Sequence, residues 1–81
     1  MTNREVVLAD LGEGLEEAFI VEFLVEPGSK VKRLDPLLRV ETDKATVEVT
    51  SPWEGTVTRF AVAIGEYAKV GATLVEINAE D

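Results

Sequence analysis

The amino-acid sequence predicts an all-β fold, a flattened barrel or sandwich of two four-stranded antiparallel sheets related by a pseudo-two-fold axis. Short segments in which apolar and polar residues alternate, separated by turn signals, predict the strands. A repeat of the sequence at a constant offset of 37 residues predicts two similar halves. The length of 81 residues, of which 46% are hydrophobic, is enough for one small core. Because two copies are too few for a solenoid, the simplest packing is two similar sheets around that core.

Eight strands are predicted along the chain. Two of them are short extended pieces near Val31 and Ala68. A helix is an alternative for the second strand, since Ile20, Phe23 and Leu24 have helical spacing. A strand is preferred because the segment is short, rich in β-branched residues and followed by a Pro-Gly turn signal. The six longer strands are predicted at residues 4–9, 18–25, 37–42, 45–50, 56–62 and 74–77.

The repeat falls on the glycines and apolar residues that determine turns and core. Residue 44 corresponds to residue 81, so the turn around residue 44 and the C-terminus are predicted at opposite ends of the sandwich. The identical pairs are Phe23 with Phe60, Val25 with Val62, Gly28 with Gly65, Lys32 with Lys69 and Leu37 with Leu74, and the conservative pairs are Ile20 with Val57, Val31 with Ala68, Leu38 with Val75 and Val40 with Ile77.

A hairpin with Asp43 and Lys44 at its tip is predicted between the two central strands. Apolar and polar residues lie on opposite faces only if the residue numbers of each cross-strand pair add up to 87. This register places Val40 opposite Val47 and Arg39 opposite Glu48. Tight two-residue hairpins favour Asn-Gly or Asp-Gly, because a type I′ turn requires positive φ. Lysine in such a turn is expected to cost stability, and a local rule broken at an exposed tip suggests a functional constraint.

Composition excludes several classes of function. The chain has no cysteine and no histidine, which excludes disulfides, thiolate or imidazole metal sites and nucleophiles paired with histidine. The net charge of −8 disfavours nucleic acid and anionic membranes as partners. No apolar run approaches the roughly 20 residues that span a bilayer, and no secretion signal begins the sequence. A soluble, intracellular protein is expected.

Other candidate motifs have ordinary structural interpretations. The run Asp-Leu-Gly-Glu-Gly at residues 10–14 lacks the Gly-Lys-Ser/Thr of a phosphate-binding loop and the ligand spacing of a calcium loop, so it is consistent with an acidic turn. Trp53 could stack on a ligand, but a packing role is favoured. Glu41 and Asp43 lie near an exposed tip instead of in a cleft, which argues against acid–base catalysis.

Taken together, three motifs resemble those of the lipoyl domains of 2-oxo acid dehydrogenase acyltransferases, in the biotinyl/lipoyl attachment family. Residues 41–45 match the modification motif, residues 10–14 match the N-terminal signature, and residues 51–57 fit the pattern that follows the modified hairpin. The resemblance covers nearly the whole chain. Two related groups of proteins fit less well. Biotinyl domains carry methionine on both sides of their lysine, which this sequence lacks, and the glycine-cleavage carrier protein has different residues before its lysine.

The resemblance implies that lipoate is attached to Lys44 through an amide, flanked by the motif residues Glu41, Asp43 and Ala45. Amide formation would remove one positive charge and change the formal net charge from −8 to −9 (−8 − 1). The disulfide chemistry would then belong to the cofactor, with neither a catalytic residue nor a metal ligand in this chain. By the same resemblance, a loop that helps the partner decarboxylase to recognise the domain comprises Asp10, Leu11, Gly12, Glu13 and Gly14.

The expected function is therefore that of a swinging-arm carrier, in one domain spanning residues 1–81 at the N-terminus of a longer acyltransferase. The implied partners are a lipoate-protein ligase or lipoyl transferase, a thiamine-diphosphate 2-oxo acid decarboxylase, the acyltransferase core and dihydrolipoamide dehydrogenase. Pyruvate is preferred to branched-chain 2-oxo acids as the substrate. The alternative is an unmodified interaction module. The location would be the cytoplasm in a bacterium and the mitochondrial matrix in a eukaryote.

Overall fold

The computed structural model describes residues 2–9 and 16–80. In these ranges the chain forms eight strands and no helix, which confirms the predicted strands and excludes the helical alternative for the second one. No helical segment of the described chain could therefore cross a bilayer. The strands are β1 (Thr2–Val7), β2 (Glu17–Phe23), β3 (Lys30–Val31), β4 (Pro36–Glu41), β5 (Thr46–Thr50), β6 (Gly55–Phe60), β7 (Tyr67–Lys69) and β8 (Thr73–Ala79).

The strands form two four-stranded antiparallel sheets, as predicted. The order is β1-β8-β6-β3 in the first sheet and β5-β4-β2-β7 in the second. Exchanging the first four strands with the last four converts one order into the other, which is the pseudo-two-fold relationship that the repeat predicts. The offset is 37 residues in most of the fold. It becomes 43 between β1 and β5, since Asn3 pairs with Asn78 and Thr46 pairs with Glu41.

Irregularities of the sheets also repeat. The register shifts between Ile20 and Glu22 in β2 and between the equivalent Val57 and Arg59 in β6. Gly28 and its equivalent both have φ values near the left-handed region, 93° for Gly28 and 92° for Gly65. Only glycine adopts such values without steric cost, so the interpretation of these two residues as turn glycines is confirmed.

The core lies between the sheets and is built from the inward-facing residues of each strand. In each strand the period of two turns every second side chain inward, and strands of both halves contribute such residues. Trp53 is half-buried and packs against this core, with the guanidinium carbon of Arg4 5.6 Å from the ring centroid. Its predicted packing role is therefore confirmed. The largest fully buried aliphatic side chains are Ile20, Leu37, Leu38, Val40, Val57, Leu74, Val75 and Ile77.

The hairpin of β4 and β5 has the predicted register. From the tip to Leu38 the pairs are those predicted, Glu41 with Thr46, Val40 with Val47, Arg39 with Glu48 and Leu38 with Val49, and beyond Leu38 the register shifts so that Pro36 pairs with Thr50. The ends of the described chain, at Thr2 and Glu80, lie at the other end of the molecule from the tip. Strand β5 leads away from the tip, and beyond its end Glu54 accepts a 2.8 Å hydrogen bond from the backbone of Glu80. Ala79 in turn pairs with the first residue of β1, so both ends of the described chain meet there.

Candidate functional site

The tip of the β4–β5 hairpin is closed by Thr42. Its backbone N–H donates to the carbonyl of Ala45 at 2.8 Å. Its hydroxyl donates to the same carbonyl at 3.1 Å and accepts from the backbone N–H groups of Lys44 at 3.2 Å and Ala45 at 3.1 Å. One side chain thus satisfies backbone groups on both sides of the lysine. Sequence reasoning missed this role, although threonine before a turn is a known signal for such local bonding.

The expected type I′ turn is wrong. Neither Asp43 nor Lys44 has a positive φ, since among the described residues other than glycine only Leu34 has one, at 76°. The tip is instead stabilised by the hydroxyl of Thr42, so lysine incurs no left-handed steric cost there. The functional constraint inferred from that cost therefore loses its basis, and a role for Lys44 has to be inferred from the position of its side chain.

Lys44 is exposed, as are its motif neighbours Glu41, Asp43 and Ala45. Within the described part of the chain, the Lys44 ammonium makes no ion pair. The amine is thus accessible to a modifying enzyme and is not part of a salt bridge that modification would break. The described residues also contain no cluster of three acidic side chains that could hold a metal ion.

The base of the hairpin is held by an ion-pair network across three strands. Arg39 on β4 contacts the carboxylate of Glu22 on β2 through one guanidinium nitrogen and that of Glu48 on β5 through the other, the second at 3.2 Å. On the inner face, Val40 is fully buried and pairs with Val47. The tip therefore projects from a hairpin that is anchored on both faces.

The predicted recognition residues Asp10, Leu11, Gly12, Glu13 and Gly14 lie outside the described residues. The segments on both sides of them are bound to the turn between β7 and β8. On one side, the backbones of Leu8 and residues 71–72 exchange hydrogen bonds of 2.8 and 2.9 Å, and on the other the N–H of Val70 donates to Glu16 at 3.0 Å. Strand β2 begins at this end, where Phe19 pairs with Glu41. The attachment points of the loop therefore lie at the tip end of the domain.

An apolar groove opens between the edge strands β1 and β5. Its volume is about 340 Å³, and its lining includes Val6, Leu8, Val47, Val49 and Trp53. Two glutamates, Glu5 and Glu48, also line it.

Comparison with known proteins identifies the family. The model of a family described as "Biotin-requiring enzyme", the biotin and lipoyl attachment domain, matches residues 4–77. The chain belongs to this family. Among curated relatives, it is 40% identical over 77 residues to the lipoamide acyltransferase component of the mitochondrial branched-chain alpha-keto acid dehydrogenase complex of Arabidopsis thaliana. It is 42% identical over 77 residues to the dihydrolipoyllysine-residue acetyltransferase component of the pyruvate dehydrogenase complex of Staphylococcus aureus.

Each match covers 95% of this chain but only 16% and 18% of the two relatives, respectively. The chain therefore spans less than a fifth of their length, and the matched part is a lipoyl domain. This confirms the predicted family, whose lipoyl members carry lipoate covalently on a lysine. Because relatives from both complexes match at similar identity, the comparison does not distinguish pyruvate from branched-chain substrates.

Solved structures show the same fold. The solution structure of the lipoyl domain of the 2-oxoglutarate dehydrogenase complex from Azotobacter vinelandii superposes with a TM-score of 0.71 at 20% identity, covering 100% of both chains. A domain of a single-chain, multi-domain long-chain acyl-CoA carboxylase superposes with a TM-score of 0.77 at 16% identity, over 98% of this chain and 7% of that one. At these identities the likeness shows the fold alone. The Azotobacter structure consists of the domain alone, since the match covers 100% of that chain.

Proposed function

We propose that Lys44 carries lipoate and that the domain is the swinging-arm carrier of a longer acyltransferase chain. The observation that supports this most is the exposed Lys44 amine, which pairs with no described residue, at the apex of an anchored hairpin in a lipoyl domain by family. The dithiolane would supply the disulfide chemistry by which an acyl group passes from a thiamine-diphosphate 2-oxo acid decarboxylase to coenzyme A, with reoxidation by dihydrolipoamide dehydrogenase.

The residues of this chain would present the amine and hold the tip in place. Thr42 keeps the backbone on both sides of Lys44 hydrogen-bonded, so the modifying enzyme meets one conformation of the tip. The modifying enzyme must accept a proton from Nζ as the nitrogen attacks an activated carboxyl group, and the activating group leaves when the amide forms. The chain ends at the opposite end of the sandwich leave a tether clear of the tip. Tethering in a longer chain would raise the effective concentration of the arm at each partner.

Intact mass tests the attachment. The domain is produced in cells supplied with lipoate and a lipoylating enzyme, and its mass is compared with that of Lys44→Arg and Lys30→Arg variants. We expect the wild type and Lys30→Arg to gain the mass of one lipoyl group and Lys44→Arg to gain none. An unmodified wild type in the presence of a competent enzyme would support the alternative function, an interaction module with a free lysine.

We further propose pyruvate as the source of the acyl group. The 42% identity to an acetyltransferase component of a pyruvate dehydrogenase complex supports this, while the 40% identity to a branched-chain component makes branched-chain 2-oxo acids the second candidate. Reductive acylation of the lipoylated domain by matched pyruvate and branched-chain decarboxylases distinguishes them. The correct complex is the one whose decarboxylase gives the higher kcat/KM.

A further inference from the structure

One row of side chains on the outer face of the second sheet is unusual for a solvent-facing surface. Thr46, Glu41, Phe19 and Tyr67 lie side by side on β5, β4, β2 and β7, because each is the cross-strand partner of the next. Neighbouring strands are about 4.8 Å apart, so the row crosses the whole sheet in about 14 Å. It contains two aromatic rings and a carboxylate.

The aromatic rings face outward. Their strand neighbours Ala18 and Ala68 are buried at 1% and 4% exposure, so alternation turns Phe19 and Tyr67 to the outside. Tyr67 is 66% exposed. The two rings meet edge to face, with centroids 5.1 Å apart. The tyrosine ring therefore stands open to solvent beside a second aromatic ring, an arrangement that core packing does not require.

The pseudo-symmetry provides an internal comparison. The equivalent row on the outer face of the first sheet consists of Asn3, Asn78, Thr56 and Lys30, which pair in the same order. These four side chains are polar and include neither an aromatic ring nor a carboxylate. The same backbone positions thus accept ordinary surface residues, so the fold itself does not explain the aromatic pair and the carboxylate beside it.

The adjacent row, in contrast, is shared by both sheets. Glu48, Arg39 and Glu22 in the second sheet correspond to Glu5, Glu76 and Arg59 in the first. In the second sheet this row has a net charge of −1, and Glu41 in the aromatic row brings the total to −2. On the other side of the aromatic row, Glu17 is the cross-strand partner of Lys69, so those two charges offset each other. The surface around the aromatic pair is therefore acidic.

We propose that this outer face, centred on Phe19 and Tyr67 with Glu41, docks an arginine-bearing surface of the 2-oxo acid decarboxylase. The inference rests on the proposed carrier function. A guanidinium stacks on an exposed aromatic ring and also pairs with carboxylates, whereas an ammonium is more strongly hydrated and lacks the planar fork. The row offers both contacts, because it holds the exposed ring of Tyr67 and the carboxylate of Glu41 on either side of Phe19. Aromatic residues also supply many of the dominant contacts in interfaces.

The position of this face fits the task. Glu41 is the last residue of β4, one of the two strands of the hairpin, and it immediately precedes Thr42, the residue that closes the tip. A partner bound across the row would therefore lie directly beside Lys44. Docking there would place the decarboxylase at the base of the arm, without contacting the end of the domain where the chain enters and leaves.

Reductive acylation kinetics of the lipoylated domain test the inference. The variant Tyr67→Thr removes the open ring from an exposed strand position, and Lys30→Thr changes the equivalent position of the first sheet. We expect Tyr67→Thr to raise the KM for the domain about tenfold with kcat unchanged, as for loss of one dominant contact. Tyr67→Phe should stay within about twofold, because the ring face is kept. Lys30→Thr should behave as wild type.

The outcomes separate this inference from the proposed function. If the wild type is lipoylated and acylated but Tyr67→Thr has an unchanged KM, the docking face is wrong and the carrier function stands. An equal rise in KM for Lys30→Thr would also overturn the docking face, as would an effect confined to transfer at the acyltransferase core. Failure of the wild type with every decarboxylase would overturn the carrier function itself. Lipoylation and thermal unfolding of Tyr67→Thr are measured alongside, and both should match the wild type.

Discussion

Arg39 and Glu76 occupy equivalent positions in the two sheets but carry opposite charges. Arg39 lies between two glutamates, Glu22 and Glu48, whereas Glu76 pairs with Arg59 at 2.6 Å and accepts a bond from Asn3 at 3.1 Å. Each thus ties neighbouring strands together across an outer face. The charged row belongs to the scaffold because both halves have it, while the sign of its central charge differs.

Replacing Arg39 should weaken the base of the hairpin. Arg39→Met keeps the aliphatic stem and removes both ion pairs, and we expect a loss of about 1 kcal/mol in the free energy of unfolding, since partly exposed pairs contribute about 0.2 to 1 kcal/mol each. Urea unfolding measures the change. The control is Arg33→Met, an exposed arginine with no ion pair in the described chain. An equal loss in both variants would contradict the role of the network.

Removing the hydroxyl that closes the tip should loosen it. Thr42→Val keeps the β-branched shape but leaves the N–H groups of Lys44 and Ala45 without their side-chain acceptor. We expect a loss of about 1 kcal/mol in unfolding free energy and faster amide exchange at the tip. Thr46→Val, at an exposed position on β5 whose hydroxyl makes no bond within the described residues, should change neither. Unaltered exchange in Thr42→Val would contradict the assigned role.

Glycine at position 34 should make the domain more stable than the leucine that occupies it. The φ of Leu34, 76°, lies in the left-handed region, and its equivalent in the repeat is Gly71, with φ 91°. The side chain is 68% exposed, so little burial would be lost. A left-handed leucine costs about 1 to 2 kcal/mol, and the greater unfolded-chain entropy of glycine offsets about 0.5 to 1 kcal/mol of the relief. We therefore expect Leu34→Gly to raise the unfolding free energy by about 0.5 kcal/mol.

The reverse substitution is the matched control. Gly71→Ala should lower the unfolding free energy by about 1 kcal/mol, because alanine incurs the steric cost that glycine avoids. Both variants are compared with wild type by chemical denaturation. A destabilised Leu34→Gly would show that the leucine side chain contributes more through its contacts than its backbone conformation costs.

The stability of the domain should depend on pH through Glu76. The hydrogen bond from Asn3 and the charge of Arg59 lower the pKa of this carboxyl, and they outweigh the opposing effect of desolvation. A carboxyl with a depressed folded-state pKa contributes stability above its unfolded-state pKa of about 4.3 and loses it as the pH falls through the lower folded value. We expect Glu76→Gln to be less stable than wild type at neutral pH, with the difference shrinking in acid.

Unfolding free energies measured from pH 7 downward test this dependence. Glu26→Gln serves as the control, because the Glu26 side chain is exposed and makes no ion pair within the described residues. Its difference from wild type should not shrink in acid as that of Glu76→Gln does. A constant difference between Glu76→Gln and wild type at all pH values would show that packing, not charge, explains the effect.

Much of the fold could be predicted because its information is local. The period of two identified the strands, and the sorting of Val40 with Val47 was enough to determine the hairpin register. The turn type was wrong because it was inferred from the two tip residues alone, while the bonds that close the tip come from the preceding Thr42. The ends of the strands were predicted less well: β2 ends at Phe23, before the predicted residue 25, and the N–H of Leu24 bonds to Leu37 outside the regular ladder, whereas β8 extends beyond the predicted residues 74–77 at both ends.

By itself, the sequence determined the strand pattern, the two-fold repeat and the place of Lys44 at a hairpin tip, because alternation and repetition are properties of neighbouring or regularly spaced residues. Only the tertiary structure decided the sheet orders and the outer-face row in which Glu41, Phe19 and Tyr67 meet. Phe19 and Tyr67 are far apart in the chain, and β2 and β7 come together only when the two halves close around one core. A contact of that kind depends on packing between the halves, which no local pattern encodes.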